Sequence, residues 1–170
     1  AQPIIQVLAS FPAPMVYPLL VSLFFKLGVG LNYSSMFLLL LGVQWYILFN
    51  VLAGTLRIPQ ELKYAVALMA IPRWERWKKL YLPSVFPTLV GGWLTAAGGA
   101  WNASIVAEYM IFNGELITAH GLGATISLAT GKEDFSLLAA SLTVMVAIVI
   151  ILNRTFWAKI YQISQSRFRL

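Results

Sequence analysis

The stretch that decides the reading is "RIPQELKYAVALMAIPRWERWKKLYLP", Arg57 to Pro83. It carries six of the chain's twelve Lys and Arg residues, two tryptophans and three prolines. Pro59 is placed to open a helix and Pro72 to close it, with about eleven residues between them, too few to cross a bilayer. Leu62, Ala65, Val66 and Met69 fall at helical spacing on one side of that segment. A second short helix is expected from Arg73 to about Leu82. Its Trp74, Trp77 and Tyr81 share one side, Arg76, Lys78 and Lys79 point elsewhere, and Glu75 and Lys79 form an i,i+4 pair, the pattern of a helix lying among lipid headgroups. Leu82-Pro83 is then expected to turn the chain into a membrane span.

The sequence around this loop is grease. Of 170 residues, 59% are hydrophobic and 11% charged, and the mean hydropathy is +0.78, well outside the range of soluble domains. Four spans are expected, at about 4–25, 34–56, 84–106 and 135–156, each long enough as a helix for a hydrocarbon core of about 30 Å. The first carries Pro12, Pro14 and Pro18 and is expected to kink and to pack inside a bundle. The second carries Gln44 and Asn50, amides that need partners on another helix or along an aqueous path. In the third, the rows Gly91, Thr95, Gly99 and Gly92, Ala96, Ala100 recur every fourth position and let helix backbones approach. Asn102 and Glu108 follow at its end. The segment 109–134, broken by Gly114, Gly121, Gly123 and Gly131, is too polar to span; it reads as a re-entrant or surface segment with about two turns of helix over Ala124 to Thr130. The domain is thus one all-α, polytopic membrane helical bundle.

Charge sets the expected orientation. With the 57–83 loop on the cytoplasmic side, Arg57, Lys63, Arg73, Arg76, Lys78, Lys79, Arg154, Lys159, Arg167 and Arg169 lie inside, and only Lys26 and Lys132 outside. The net charge of +6 is accounted for by this bias and does not point to nucleic acid.

The loop also carries a resemblance. "IPQELKYA" followed by "AIPRWERWKKLYLPSVFP" is similar to the cytoplasmic loop of ATP-binding cassette importer permeases, whose signature is Glu-Ala-Ala, three residues, Gly, nine residues, Ile, one residue, Leu-Pro. Counted back from Leu82-Pro83, the signature places Leu80 at the Ile, Ala70 at the Gly and Tyr64-Ala65-Val66 at the Glu-Ala-Ala. The spacing holds while Tyr64, Ala70 and Leu80 depart from the pattern, as does Val66 at the second Ala. The segments "GGWLTAAGGAWNASIVAEYM" and "GLGATI" and the end "NRTFWAKIYQISQSRFRL" resemble permeases of the nitrate, sulfonate, taurine and bicarbonate group, in particular the C-terminal half of double-length members.

The resemblance implies an importer-permease (MetI-like) fold in the bacterial inner membrane, moving a small solute. It implies a coupling helix, here Leu62, Tyr64, Ala65, Val66, Met69, Ala70 and Pro72, docked in a groove of an ATPase subunit that binds ATP and Mg. It also implies a second permease subunit or fused half, a periplasmic or lipid-anchored solute-binding protein, and, since a permease half has five or six spans, a missing N-terminal portion. A translocation path is expected at Gln44, Asn50, Trp101, Asn102 and Glu108, against the plainer reading of interhelical hydrogen bonds. A gate hinge is expected at Gly121 and Gly123, against that of a turn.

Other chemistry is disfavoured. Gly131-Lys132 is followed by Glu133 and preceded at the required position by Ile126, so no phosphate-binding loop is present and no cofactor is expected in this chain. His120 is the only histidine and there is no cysteine, which removes thiolate chemistry and makes a metal site unexpected. Ser10, Ser104 and Ser141 lack a nucleophile's surroundings. A non-transporting scaffold that anchors a cytoplasmic complex is the competing reading.

Overall fold

In a computed structural model, which describes residues 6, 7 and 9–167, the chain is almost entirely helical. Its elements are α1 (Tyr17–Lys26), α2 (Leu31–Leu56), α3 (Gln60–Leu68), α4 (Arg73–Arg76), α5 (Leu82–Ala107), β1 (Tyr109–Phe112), β2 (Glu115–Thr118), α6 (Leu122–Gly131), α7 (Phe135–Leu152) and α8 (Ala158–Arg167). Among the described residues three helices are long and apolar enough to cross a membrane: Leu31–Leu56, Arg73–Ala107 and Phe135–Ser166. Two compact units are formed, Ala1–Trp45 with Ala97–Ile150 and Tyr46–Ala96 with Ile151–Leu170.

In the first unit, the prolines do something sharper than kink a span. Pro14 sits in the first turn of a 3-10 segment, Ala13–Met15, and Pro18 in the first turn of α1, positions where the missing N–H is not needed. Residues 17–26 therefore make a ten-residue helix of about 15 Å, too short to cross unaided; Ile4, at the expected start of this span, lies outside the described residues. Helix α1 packs on α2 through Tyr17, Val21, Leu31 and Leu38, all buried, and Ala107 and Ala119 close the same cluster. The buried Tyr17 hydroxyl donates to the Leu38 carbonyl at 3.1 Å, so a polar group in an apolar core is satisfied. Phe24 stacks on Phe37 with ring centroids 5.3 Å apart.

The segment after α5 contains an antiparallel hairpin that the glycine punctuation concealed. Tyr109 pairs with Thr118 and Phe112 with Glu115. Its turn residues Asn113 and Gly114 both have positive φ, 52° and 82°, the two-residue turn that Asn-Gly favours. Helix α6 follows and slightly exceeds the two turns expected. Asp134 Oδ1 accepts the Leu137 N–H at 3.0 Å and so caps the start of α7.

In the second unit, α3 is nine residues long and stops at Met69; Ala70 then adopts a left-handed φ of 52°. The next helix does not turn at Leu82-Pro83 as expected. It runs without interruption from Arg73 to Ala107. The turn over Trp77–Tyr81 widens to π geometry, in which the Leu82 N–H reaches the Trp77 carbonyl. A wider turn just before Pro83 relieves the clash between its ring and the carbonyl four residues back, so the helix passes through a proline that would otherwise stop it. A second π turn, Asn153–Trp157, joins α7 to α8, so this helix also outruns its expected end.

The small-residue rows behave differently from one another. Gly92 and Ala96 are buried, and a Cβ on Gly92 would lie 3.0 Å from both the Ile47 Cα and the Asn50 Cβ. Thr95, in the other row, is exposed and bonds back to the Gly91 carbonyl at 2.9 Å. Gly98, which lies in neither row, has open space: a Cβ there would meet nothing within 4 Å.

Two stability outcomes follow from these contacts. Gly92→Val is expected to lower the stability of the detergent-solubilised protein by about 1–3 kcal/mol through overpacking, while Gly98→Ala leaves it unchanged or raises it by up to about 1 kcal/mol. Thermal unfolding followed by tryptophan fluorescence checks both, and equal effects at the two sites contradict the assignment of the packing row. At Ala70, replacement by Gly removes a left-handed strain, so amide exchange in α3 should slow by the equivalent of about 0.5–1 kcal/mol; faster exchange contradicts it.

Candidate functional site

The loop helix α3 is held to the second unit by one side only. Lys63 Nζ donates to the Thr55 carbonyl at 3.4 Å, Ile58 just before the helix is buried, and Ala65 and Val66 are half-buried. Opposite them, Tyr64 is 67% exposed and Leu68 86%, one turn apart on the same stripe. Met69 at the helix end is 71% exposed, whereas Leu62 is 37% exposed. The face expected from the spacing, Leu62, Ala65, Val66 and Met69, is therefore partly turned onto the chain itself. The outward apolar surface is Tyr64, Leu68 and Met69. Sequence reasoning missed Leu68 because a helix apolar on two sides gives no sign of which side its own chain covers.

Helix α4 and the turn after it also carry exposed apolar side chains. Trp74 and Trp77 are exposed, Trp77 lies 6.2 Å from the Tyr81 ring, and Lys79 pairs with Glu75 at 2.7 Å as the i,i+4 spacing indicated. Arg76 Nε donates to the Ile71 carbonyl at 2.6 Å and thereby ties the turn containing Pro72 to the helix that follows. Ala70, at the position of the signature glycine, is the residue with positive φ, so the backbone here makes the turn that a glycine makes without strain.

The five expected path residues are divided between the two units. Asn50 belongs to the second unit, where its Nδ2 donates to the Tyr46 carbonyl at 2.8 Å and its side chain lines a polar cleft of about 420 Å³. Arg57, Ser84, Thr88, Tyr161 and Gln165 share that cleft, and none of them but Asn50 was among the expected path residues. Gln44, Trp101, Asn102 and Glu108 belong to the first unit. Gln44 and Asn102 are exposed on α2 and α5, Trp101 is half-buried, and its carbonyl accepts the Ser104 hydroxyl at 2.8 Å.

Glu108 has a defined partner. Its Oε2 accepts the Ala124 N–H in the first turn of α6 at 3.1 Å, and its backbone carbonyl accepts the Ala119 N–H at 2.8 Å. The positive end of a helix thus answers the carboxylate in place of a cation, the charge arrangement that a helix N-terminus favours. Gly121 and Gly123 make this possible by having no side chain. A Cβ on Gly121 would fall inside the Glu108 carboxylate, and one on Gly123 would collide with the backbone of Ser104 and Ile105. Ser127 adds a bond to the Ile105 carbonyl at 2.8 Å. The Gly-Leu-Gly segment is therefore a close backbone crossing between α6 and the end of α5. The lone histidine is bound nearby: the backbone N–H and ring Nδ1 of His120 both lie within hydrogen-bond reach of Asn32 Oδ1, at 2.8 and 3.1 Å. No group of three or more potential metal ligands occurs among the described residues.

The chain is similar to the nitrate import permease protein NrtB of Synechococcus elongatus, with 26% identity over 112 residues, 66% of this chain and 39% of that protein. It is also similar to the riboflavin transport system permease protein RibX of Chloroflexus aurantiacus, with 28% identity over 150 residues, 88% of this chain and 52% of that protein. The matched region thus spans about half or less of each relative's length. A family model, binding-protein-dependent transport system inner membrane component, matches residues 1–169. With an all-α polytopic fold, three helices able to cross a bilayer and a match over essentially its whole length, the chain belongs to this family of inner-membrane importer permeases of the ATP-binding cassette type, a family of transport proteins and not of enzymes.

Proposed function

We propose that the chain is the membrane-spanning part of an importer that moves a small anion, of the nitrate, sulfonate, taurine or bicarbonate kind, driven by ATP hydrolysis in a separate subunit. The observation that carries the proposal is the outward apolar surface of α3. Tyr64, Leu68 and Met69 stand exposed on a short helix outside the spans, backed by a half-buried side that fixes it to the chain. A partner's groove that covers this surface gains the burial of a helix laid in a hydrophobic groove. Tyr64 occupies the place of the signature's acidic residue, and its exposure leaves it available to the same partner. The uninterrupted helix from Arg73 to Ala107 begins directly after this segment, so displacement of α3 is carried straight into a span.

The excess of Lys and Arg about the loop supports its place on the cytoplasmic side. A second copy or a fused half supplies the partner for the exposed amides Gln44 and Asn102, and the path runs between the two. In this scheme Glu108, Gly121 and Gly123 form the gate at the far end of α5, where the tight crossing moves as one piece. A solute-binding protein delivers the solute on the outer side. The nitrate relative supports an anion; the riboflavin relative, aligned over more of this chain, supports riboflavin as a second reading.

Leu68→Glu tests the docking surface without disturbing the half-buried side of α3. In the reconstituted complex it is expected to lower solute-stimulated ATP turnover and uptake at least tenfold while the permease still inserts and folds; uptake at the unsubstituted rate contradicts the proposal. Stimulation of the complex by binding proteins loaded with nitrate, bicarbonate, taurine or riboflavin identifies the solute. No stimulation by any of them favours a scaffold over a transporter.

A further inference from the structure

We infer that the polar cleft of the second unit is a binding site for an oxyanion group, such as the phosphate of a lipid headgroup or a soluble oxyanion. The cleft is lined by Asn50, Arg57, Ser84, Thr88, Tyr161 and Gln165, with no carboxylate among its lining residues. A donor count shows which groups remain to be used. The Ser84 hydroxyl donates to the Leu80 carbonyl, Thr88 to that of Val85, and one Asn50 amide N–H to that of Tyr46. The Arg57 guanidinium, the Tyr161 hydroxyl and the Gln165 amide have no side-chain hydrogen bond or ion pair among the described residues. The remaining Asn50 N–H completes a set of donors around one cavity, and the only formal charge in that set is positive.

Such a set suits an anion for three reasons. A guanidinium presents paired donors in a planar fork that matches the oxygens of a phosphate or carboxylate. Arg57 and Tyr161 are exposed at the mouth of the cleft, so an anion reaches them from solution or from the headgroup layer. The wall of the cleft is also fixed by close packing: a Cβ at Gly54 would fall on the Thr88 hydroxyl and press on Val85, so glycine there keeps α2 and the Thr88 side chain where they border the cleft. The polarity is not a general property of this helix pair. A second groove of about 420 Å³ along α2 and α5, beside Trp77, Tyr81 and Leu89, is lined almost wholly by carbon.

The inference does not depend on the transport reading, since it concerns occupancy of the cleft alone. The test uses the purified permease complex in phosphatidylcholine nanodiscs and follows modification of Arg57 by phenylglyoxal, read residue by residue by mass spectrometry. Inorganic phosphate, titrated against chloride at equal ionic strength, probes a soluble oxyanion; replacing part of the phosphatidylcholine by phosphatidylglycerol probes a lipid headgroup. Saturable protection of Arg57 in either arm, weakened about tenfold or more in the double variant Tyr161→Phe, Gln165→Leu, supports the site and names its source. The single variant Tyr161→Phe, which removes one hydroxyl and keeps the ring, should weaken protection by a smaller factor and guards against a folding defect. No protection by either probe, or protection of equal strength in the double variant, overturns the inference.

Discussion

A backbone in hydrocarbon has no water to bond to, and every other feature of this molecule answers that constraint. The helix Arg73–Ala107 runs through Pro83 and Pro87, and both it and Phe135–Ser166 carry polar residues along their length. Pro83 is absorbed by a π turn; hydroxyls of Thr95, Thr143 and Thr155 bond back to carbonyls four residues earlier in their own helices. Among the described residues no buried side-chain nitrogen or oxygen lacks a partner. Where the helix does stop, at Ala107, the chain turns into a hairpin whose strands satisfy each other, and the next helix start is answered by the Glu108 carboxylate.

The same constraint explains where close packing is placed. Lipid competes with apolar side chains on equal terms, so close backbone approach adds to side-chain packing in holding the helices together. Gly92 against Ile47 in the second unit and Gly123 against Ser104 in the first are both approaches that a methyl group would obstruct. Meanwhile most large apolar side chains on α7 remain exposed, with others on α2 and α5, as surfaces facing lipid or another permease half must be.

Composition made the fold class legible, and the proline-bracketed loop made the family legible. The Glu-Ala-Ala spacing put Ala70 at the signature's glycine position, and only the backbone shows the left-handed turn there. Other features were hidden for identifiable reasons. Asn113-Gly114 between "YMIF" and "ELIT" is a hairpin signal, but read as one of several glycines it looked like mere punctuation. Pro83 looked like a stop because a π turn leaves no mark in composition. The partner of Glu108 is an N–H sixteen residues away, beyond any local pattern. The cleft escaped notice because Arg57 and Gln165 belong to segments read for topology and not for binding.

The account stands on α3 being the surface that a cytoplasmic motor subunit covers. Because the chain has no cysteine, Leu68→Cys gives a single thiol whose labelling can be followed without background. In inside-out vesicles an impermeant maleimide should react with it when the motor subunit has been stripped and be blocked when that subunit is restored. Labelling from the periplasmic face, or equal labelling with and without the motor subunit, would contradict the account.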